Sequence, residues 1–255
     1  MQRRKGFTLI ELLVVIAIIA LLMSILMPAL ARVRSQAQTI ACQARLAQWG
    51  IAVSMYTGGN DDKFWKPQND WWNPMFPFIK NPEMYVCTTA TKTYAEGAKQ
   101  PFVADDGRSI KDIGNIKMSY AMMQYVTVPS DDAIATNPTL AAKFWGTTNV
   151  KGANNIPIFM GSSRLVTLTP FGTDIADSPP AYEGDVLMSS PAEGETKRVC
   201  VNRHNGYVNA LFMDGSTRKV GLKSLWTLKW HRTLDYSAFD PPVWPPWMSL
   251  FSDPW

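Results

Sequence analysis

The first long run of hydrophobic positions extends without a charged side chain from Leu12 to Ala31, twenty residues. A helix of about that length crosses a ~30 Å hydrocarbon core. The run is apolar on every face, which suits lipid as its solvent. Beyond it the pattern changes to spacings of three and four: Leu30, Val33, Ala37, Ile40, Ala44, Ala47, Ile51 and Met55 make one apolar stripe. Arg32, Arg34, Gln36, Gln38, Gln43, Arg45 and Gln48 fall off that stripe. The two patterns predict a single helix over residues 8–57, about 75 Å long at 1.5 Å per residue. Gly58-Gly59-Asn60 is its stop signal. Pro28 lies inside it, where the ring removes one backbone hydrogen bond and kinks most helices.

After the helix the periodicity weakens. Residues 60–85 carry Pro67, Pro74, Pro77 and Pro82 among Trp65, Trp71 and Trp72. They read as an irregular segment whose aromatic anchors pack on the helix. Residues 118–128 and 156–169 are rich in β-branched and aromatic positions and read as strands. A short helix is expected around residues 140–144, and residues 170–198 read as a long polar loop broken by prolines and glycines. Tyr207–Met213 and Ser216–Val220 flank Asp214-Gly215, the strongest hairpin signal in the chain. The expected fold class is α+β: a long N-terminal helix packed on an antiparallel sheet with long loops. The segment 240–255, with its repeated Pro and Trp, reads as extended. Its Trp244, Trp247 and Trp255 either cover the domain or meet a neighbouring subunit.

Charge sharpens the reading of the N-terminus. Arg3-Arg4-Lys5-Gly6 precedes the apolar run, which places the N-terminus on the cytoplasmic side and the rest of the chain outside. Glu11 is the one charged residue between Lys5 and Arg32. An ionised carboxylate at that depth costs at least ~2.5–3.5 kcal/mol on insertion scales, so a counter-charge is expected for it. A cleaved secretory signal would need a small-residue site. Ala29-Leu30-Ala31 is formally one, but the apolar run continues there into the amphipathic helix.

The segment Lys5-Gly6-Phe7-Thr8-Leu9-Ile10-Glu11, followed by Leu12 to Ala20, resembles the signal of type IV prepilins and type II secretion pseudopilins. The resemblance implies a pilin-like subunit cut by prepilin peptidase between Gly6 and Phe7, with Phe7 then methylated. It implies that Glu11 pairs with the N-terminal amine of a neighbouring subunit, and that Pro28 marks a segment able to unwind. It implies as partners the peptidase, other pilins or pseudopilins, copies of the chain itself and an inner-membrane assembly platform. His204, nine residues, then Asp214-Gly215 resembles the C-terminal signature of a large pilin-like family. Leu225–His231, Met55-Tyr56 and Tyr85-Val86-Cys87 extend that likeness, with Thr88 where a proline is usual. The domains implied are a leader at 1–6, a membrane helix at 7–31, its amphipathic continuation at 32–59, a globular domain at 60–239 and the tail at 240–255.

Composition limits the other classes. The formal charge of +4 in 255 residues falls to +1 once Arg3, Arg4 and Lys5 leave with the leader. It therefore gives no argument for nucleic-acid binding. The three cysteines are Cys42, Cys87 and Cys200. An odd count leaves one thiol over, and spacing does not fix connectivity. A Cys42–Cys87 disulfide would staple the helix to the first part of the domain. No metal and no cofactor is expected, because no Cys-x-x-Cys or His pair accompanies the cysteines. His204 and Asp214 lack a nucleophile at a recognisable elbow, so catalysis is not expected. Their roles are read as structural: Asp214 opening the turn, Gly215 taking positive φ, His204 bonding the hairpin. His231 reads as a packed or surface residue. The competing class is a membrane-tethered extracytoplasmic protein whose tryptophans bind carbohydrate.

Overall fold

The computed structural model describes residues 9–66, 73–75, 77–105, 116–163, 167–168, 177–185, 195–235 and 242–254. Gly6, Phe7, Trp71, Trp72 and Trp255 lie outside them. The chain forms two compact units, Met1–Ile40 and Ala41–Trp255.

Helix α1 spans Leu9–Gly58. In the first unit its apolar side chains are exposed throughout, from Leu12 to Leu30. It is the one helix among the described residues long and apolar enough to cross a membrane. Pro28 does not end it. Its ring removes the bond to the Ser24 carbonyl and crowds that oxygen, and the Ser24 hydroxyl donates back to Leu21 O at 2.7 Å. At its other end Asn60 Nδ2 caps the Tyr56 carbonyl at 2.7 Å. The chain then turns through Asp61 and Asp62, both at positive φ (55° and 58°).

The second unit is built on a sheet of β1 (Tyr120–Met123), β2 (Pro157–Gly161), β3 (Thr167–Leu168), β4 (Tyr207–Phe212) and β5 (Thr217–Gly221). Four strands run antiparallel in the order β1-β2-β4-β5, and the two-residue β3 adds a parallel edge beside β1. This is a pilin-like α+β architecture. All of β1 and β2, and all of β4 except Tyr207, are buried. Strands covered on both faces read as continuous apolar runs rather than alternating ones.

The expected strand at 118–128 is shorter in the structure. Thr127 bonds the Gln124 carbonyl through both its amide and its hydroxyl, and the chain curls into a 3-10 turn at Gln124–Val126. The helix expected around 140–144 lies earlier, as two short helices, α2 (Asp131–Thr136) and α3 (Pro138–Ala141). Ser130 caps Ala133 N and Asn137 caps Leu140 N. Both are preferred N-cap types, and the α3 cap is followed by a proline at its first position.

The second unit corrects the face of α1 that packs. Cys42, Leu46, Trp49, Gly50, Ala52, Val53 and Thr57 are its buried positions. Ile51 and Met55 of the expected stripe are 61% and 59% exposed. Trp49 settles the choice. Its ring lies 4.8 Å from Phe159 and meets Tyr85 edge-on at 5.1 Å, while Nε1 donates to Met84 O at 2.9 Å. Gly50 beside it allows the closest approach to the sheet, since a Cβ there would stand 2.9 Å from Leu211 Cδ1. One indole outweighs several alanines and isoleucines because of the area it buries.

Candidate functional site

Three positions of α1 engage one short segment, residues 84–88. Trp49 Nε1 donates to Met84 O, Arg45 Nη1 donates to Val86 O at 2.6 Å, and Cys42 Sγ accepts from Thr88 N at 3.1 Å. As the α1 positions fall from 49 to 45 to 42, their partners rise from 84 to 86 to 88, so the segment runs antiparallel to the helix and bonds it at every second residue. Pro82–Tyr85 starts the segment as a 3-10 turn capped by Asn81.

At the end of this ladder the chain assembles Cys42, Cys87 and His204. Their ligand-type atoms all lie within 4.8 Å of one another, and all three residues are buried. His204 Nε2 is 3.3 Å from Cys87 Sγ. Asn205 and Gly206, both at positive φ (54° and 87°), bend the chain after it into β4. Each sulfur has a threonine hydroxyl beside it: Thr88 Oγ1 at 3.3 Å from Cys42 Sγ, Thr89 Oγ1 at 3.1 Å from Cys87 Sγ. Tyr120, on β1, is buried against both cysteines. Its hydroxyl finds no hydrogen-bond partner of good geometry among the described residues.

The electrostatics of the cluster are uneven. A hydrogen bond from Cys87 pulls Cys42 down to about 3, against the opposing effect of burial and with help from His204 and Thr88. Burial pushes Cys87 well up, and the Cys42 charge adds to it. The two sulfurs are thus pushed in opposite directions, Cys42 toward the thiolate and Cys87 toward the thiol. Arg203 faces the same space, fully buried, its guanidinium donating to Pro101 O and Val103 O at 2.6 Å and to Ser119 O at 3.1 Å. Burial lowers its pKa; Cys87, Tyr120 and Cys42 are the groups that favour its charge most.

No disulfide joins Cys42 and Cys87 in the structure; both are free, as is the buried Cys200. The neighbouring imidazole and threonines occupy the two sulfurs instead. Pairing Cys42 with Cys87 anticipated that the two sulfurs meet, but nothing local pointed to His204, which lies 117 residues from Cys87. Asp214 is exposed, so it does not join the buried His204 in a dyad. Its carboxylate accepts from Ser216 N at 2.9 Å and from the Ser216 hydroxyl at 2.6 Å, and Gly215 stands at φ 81°. His231 is buried edge-on against Tyr125 at 5.3 Å, with Thr233 Oγ1 3.2 Å from its Nδ1.

A cleft of about 360 Å³ lies between the end of α1 and the β4–β5 turn, with Thr57, Asp62, Thr148 and Asp214 in its lining. None of the described tryptophans is exposed. Trp247 Nε1 donates to Pro180 O at 2.9 Å, and Trp244 packs edge-on against Trp226 at 5.3 Å. The tail therefore covers its own domain.

Residues 1–27 match the family model of the prokaryotic N-terminal methylation motif. The N-terminus is that of a pilin-like subunit. The match covers the basic leader, Glu11 and most of the apolar run. The pilin-like family is one of structural subunits. The His204–Asp214-Gly215 pattern lies outside the matched segment. No curated protein and no solved structure matches the chain.

Proposed function

We propose that this pilin-like chain is a structural subunit of a type II secretion pseudopilus or type IV pilus-like filament and catalyses no reaction. Prepilin peptidase removes residues 1–6 after Gly6, and the new N-terminal Phe7 is methylated. The apolar part of α1 holds the subunit in the inner membrane, with the second unit outside, until the assembly platform passes it into the filament. There the helices of successive copies stack as a heterologous, open assembly. Glu11 pairs with the amine of a neighbouring Phe7, which supplies a cation at the depth of the buried carboxylate. Pro28 is where the helix can locally unwind as it leaves lipid.

The observation that carries this reading is the methylation motif over residues 1–27, continuous with a helix that can span a membrane. Among the described residues the tryptophans are buried or half-buried, which favours the filament reading over the carbohydrate-binding alternative. The test separates processing from assembly. Mass spectrometry of the wild-type N-terminus is expected to read N-methylated Phe7. Glu11→Leu is expected to be processed normally yet to yield few or no sheared filaments by electron microscopy. A mature chain beginning at Met1, or normal filaments from Glu11→Leu, overturns the reading.

A further inference from the structure

We propose that Cys42, Cys87 and His204 bind a zinc ion, which fastens α1 to the domain in place of a disulfide. The donors are two sulfurs and one imidazole nitrogen, the set that zinc prefers over calcium or magnesium. The spacing fits. Zinc–sulfur bonds of about 2.3 Å and zinc–nitrogen bonds of about 2.05 Å at tetrahedral angles put sulfur about 3.6 Å from nitrogen and about 3.8 Å from sulfur. Cys87 Sγ and His204 Nε2 stand at 3.3 Å, and no pair in the cluster exceeds 4.8 Å. Small side-chain shifts close the site around an ion.

Three further features point the same way. The Thr88 amide already donates to Cys42 Sγ, and threonine hydroxyls flank both sulfurs. Outer hydrogen bonds of this kind orient metal ligands. Three protein donors leave one position of a tetrahedron. Tyr120 brings a buried hydroxyl to the same place, beside Cys42 but without a hydrogen bond of good geometry. Buried orphan hydroxyls are costly, and a ligand or water at the fourth position satisfies this one. Finally, Arg203, next to His204 in the chain, is a buried guanidinium bonded to the Pro101, Val103 and Ser119 carbonyls. A disulfide would remove both potential anions and leave that cation with carbonyls alone. A zinc ion with two thiolates and an anionic fourth ligand carries one net negative charge, which Arg203 balances.

The full-length chain, purified in detergent without chelators, tests the site directly. Elemental analysis is expected to find about one zinc per chain, as a single site requires. Cys42→Ser, Cys87→Ser and His204→Ala are each expected to lose it by tenfold or more, and Cys200→Ser to retain it. Cobalt(II) exchanged into the wild-type chain is expected to show thiolate charge-transfer absorption and the visible bands of tetrahedral coordination. That readout needs no variant to fold. Wild-type protein without zinc and without cobalt–thiolate absorption overturns the proposal. So does an intact mass with the deficit of a Cys42–Cys87 disulfide, or zinc that survives His204→Ala.

Discussion

Single side chains decide how tightly the second unit holds together, and Arg203 is the clearest case. A planar fork delivers three hydrogen bonds to three carbonyls from two separate stretches of chain, residues 101–103 and Ser119. Lysine carries the same charge but a single ammonium, and it cannot match that geometry. Arg203→Lys is expected to destabilise the domain by about 1–3 kcal/mol, the cost of leaving buried acceptors unpaired. Thermal unfolding followed by near-ultraviolet tryptophan signal checks this. The residue scale is also where sequence was most and least informative. Asp214-Gly215 was readable because turn chemistry is local. Tyr120 and Arg203 were not, because their surroundings come from distant segments.

At the scale of elements, α1 shows how a correct period can select the wrong face. The helix, its length and its stop near Gly58 follow from local pattern and from a glycine signal. The stripe through Ile51 and Met55 had the better apolar spacing, yet the domain packs through Cys42, Leu46, Trp49 and Val53. The core chose the face with the one indole and the glycine that lets it approach. On the proposed filament reading, the apolar stripe left outside is where other copies of the subunit pack. Ile51→Asp combined with Met55→Lys is expected to leave the melting temperature within about 2 °C, as for exposed positions generally. The same pair is expected to reduce filament yield several-fold in sheared fractions by electron microscopy. The strands show the converse. β4 and β5 were legible through their hairpin, whereas β1 stopped early because Thr127 closes a turn that no propensity scale encodes.

For the molecule as a whole, the α+β class was legible and the closure of the domain was not. The tail had two readings on sequence, and the structure folds it back: Met248 is fully buried, and Trp244 and Trp247 bond to Asp253 and Pro180. Phe251 sits over Gly206, where an added Cβ would meet its ring at 3.0 Å. Burying one methionine and two indole bodies stabilises by several kcal/mol at about 1.5–3 kcal/mol for a fully buried side chain. Removing residues 242–254 is therefore expected to lower the melting temperature by about 5 °C or more, at 2–4 °C per kcal/mol for a domain of this size. Scanning calorimetry of the truncated chain in detergent measures it.

The ladder between α1 and residues 84–88 has a mechanical consequence. Tension applied along the helix axis meets the contacts of Cys42, Arg45 and Trp49 in shear, so they must rupture together rather than one after another. A fibre made of such subunits would resist pulling far better than peeling, and the weakest direction of load would be perpendicular to its long axis.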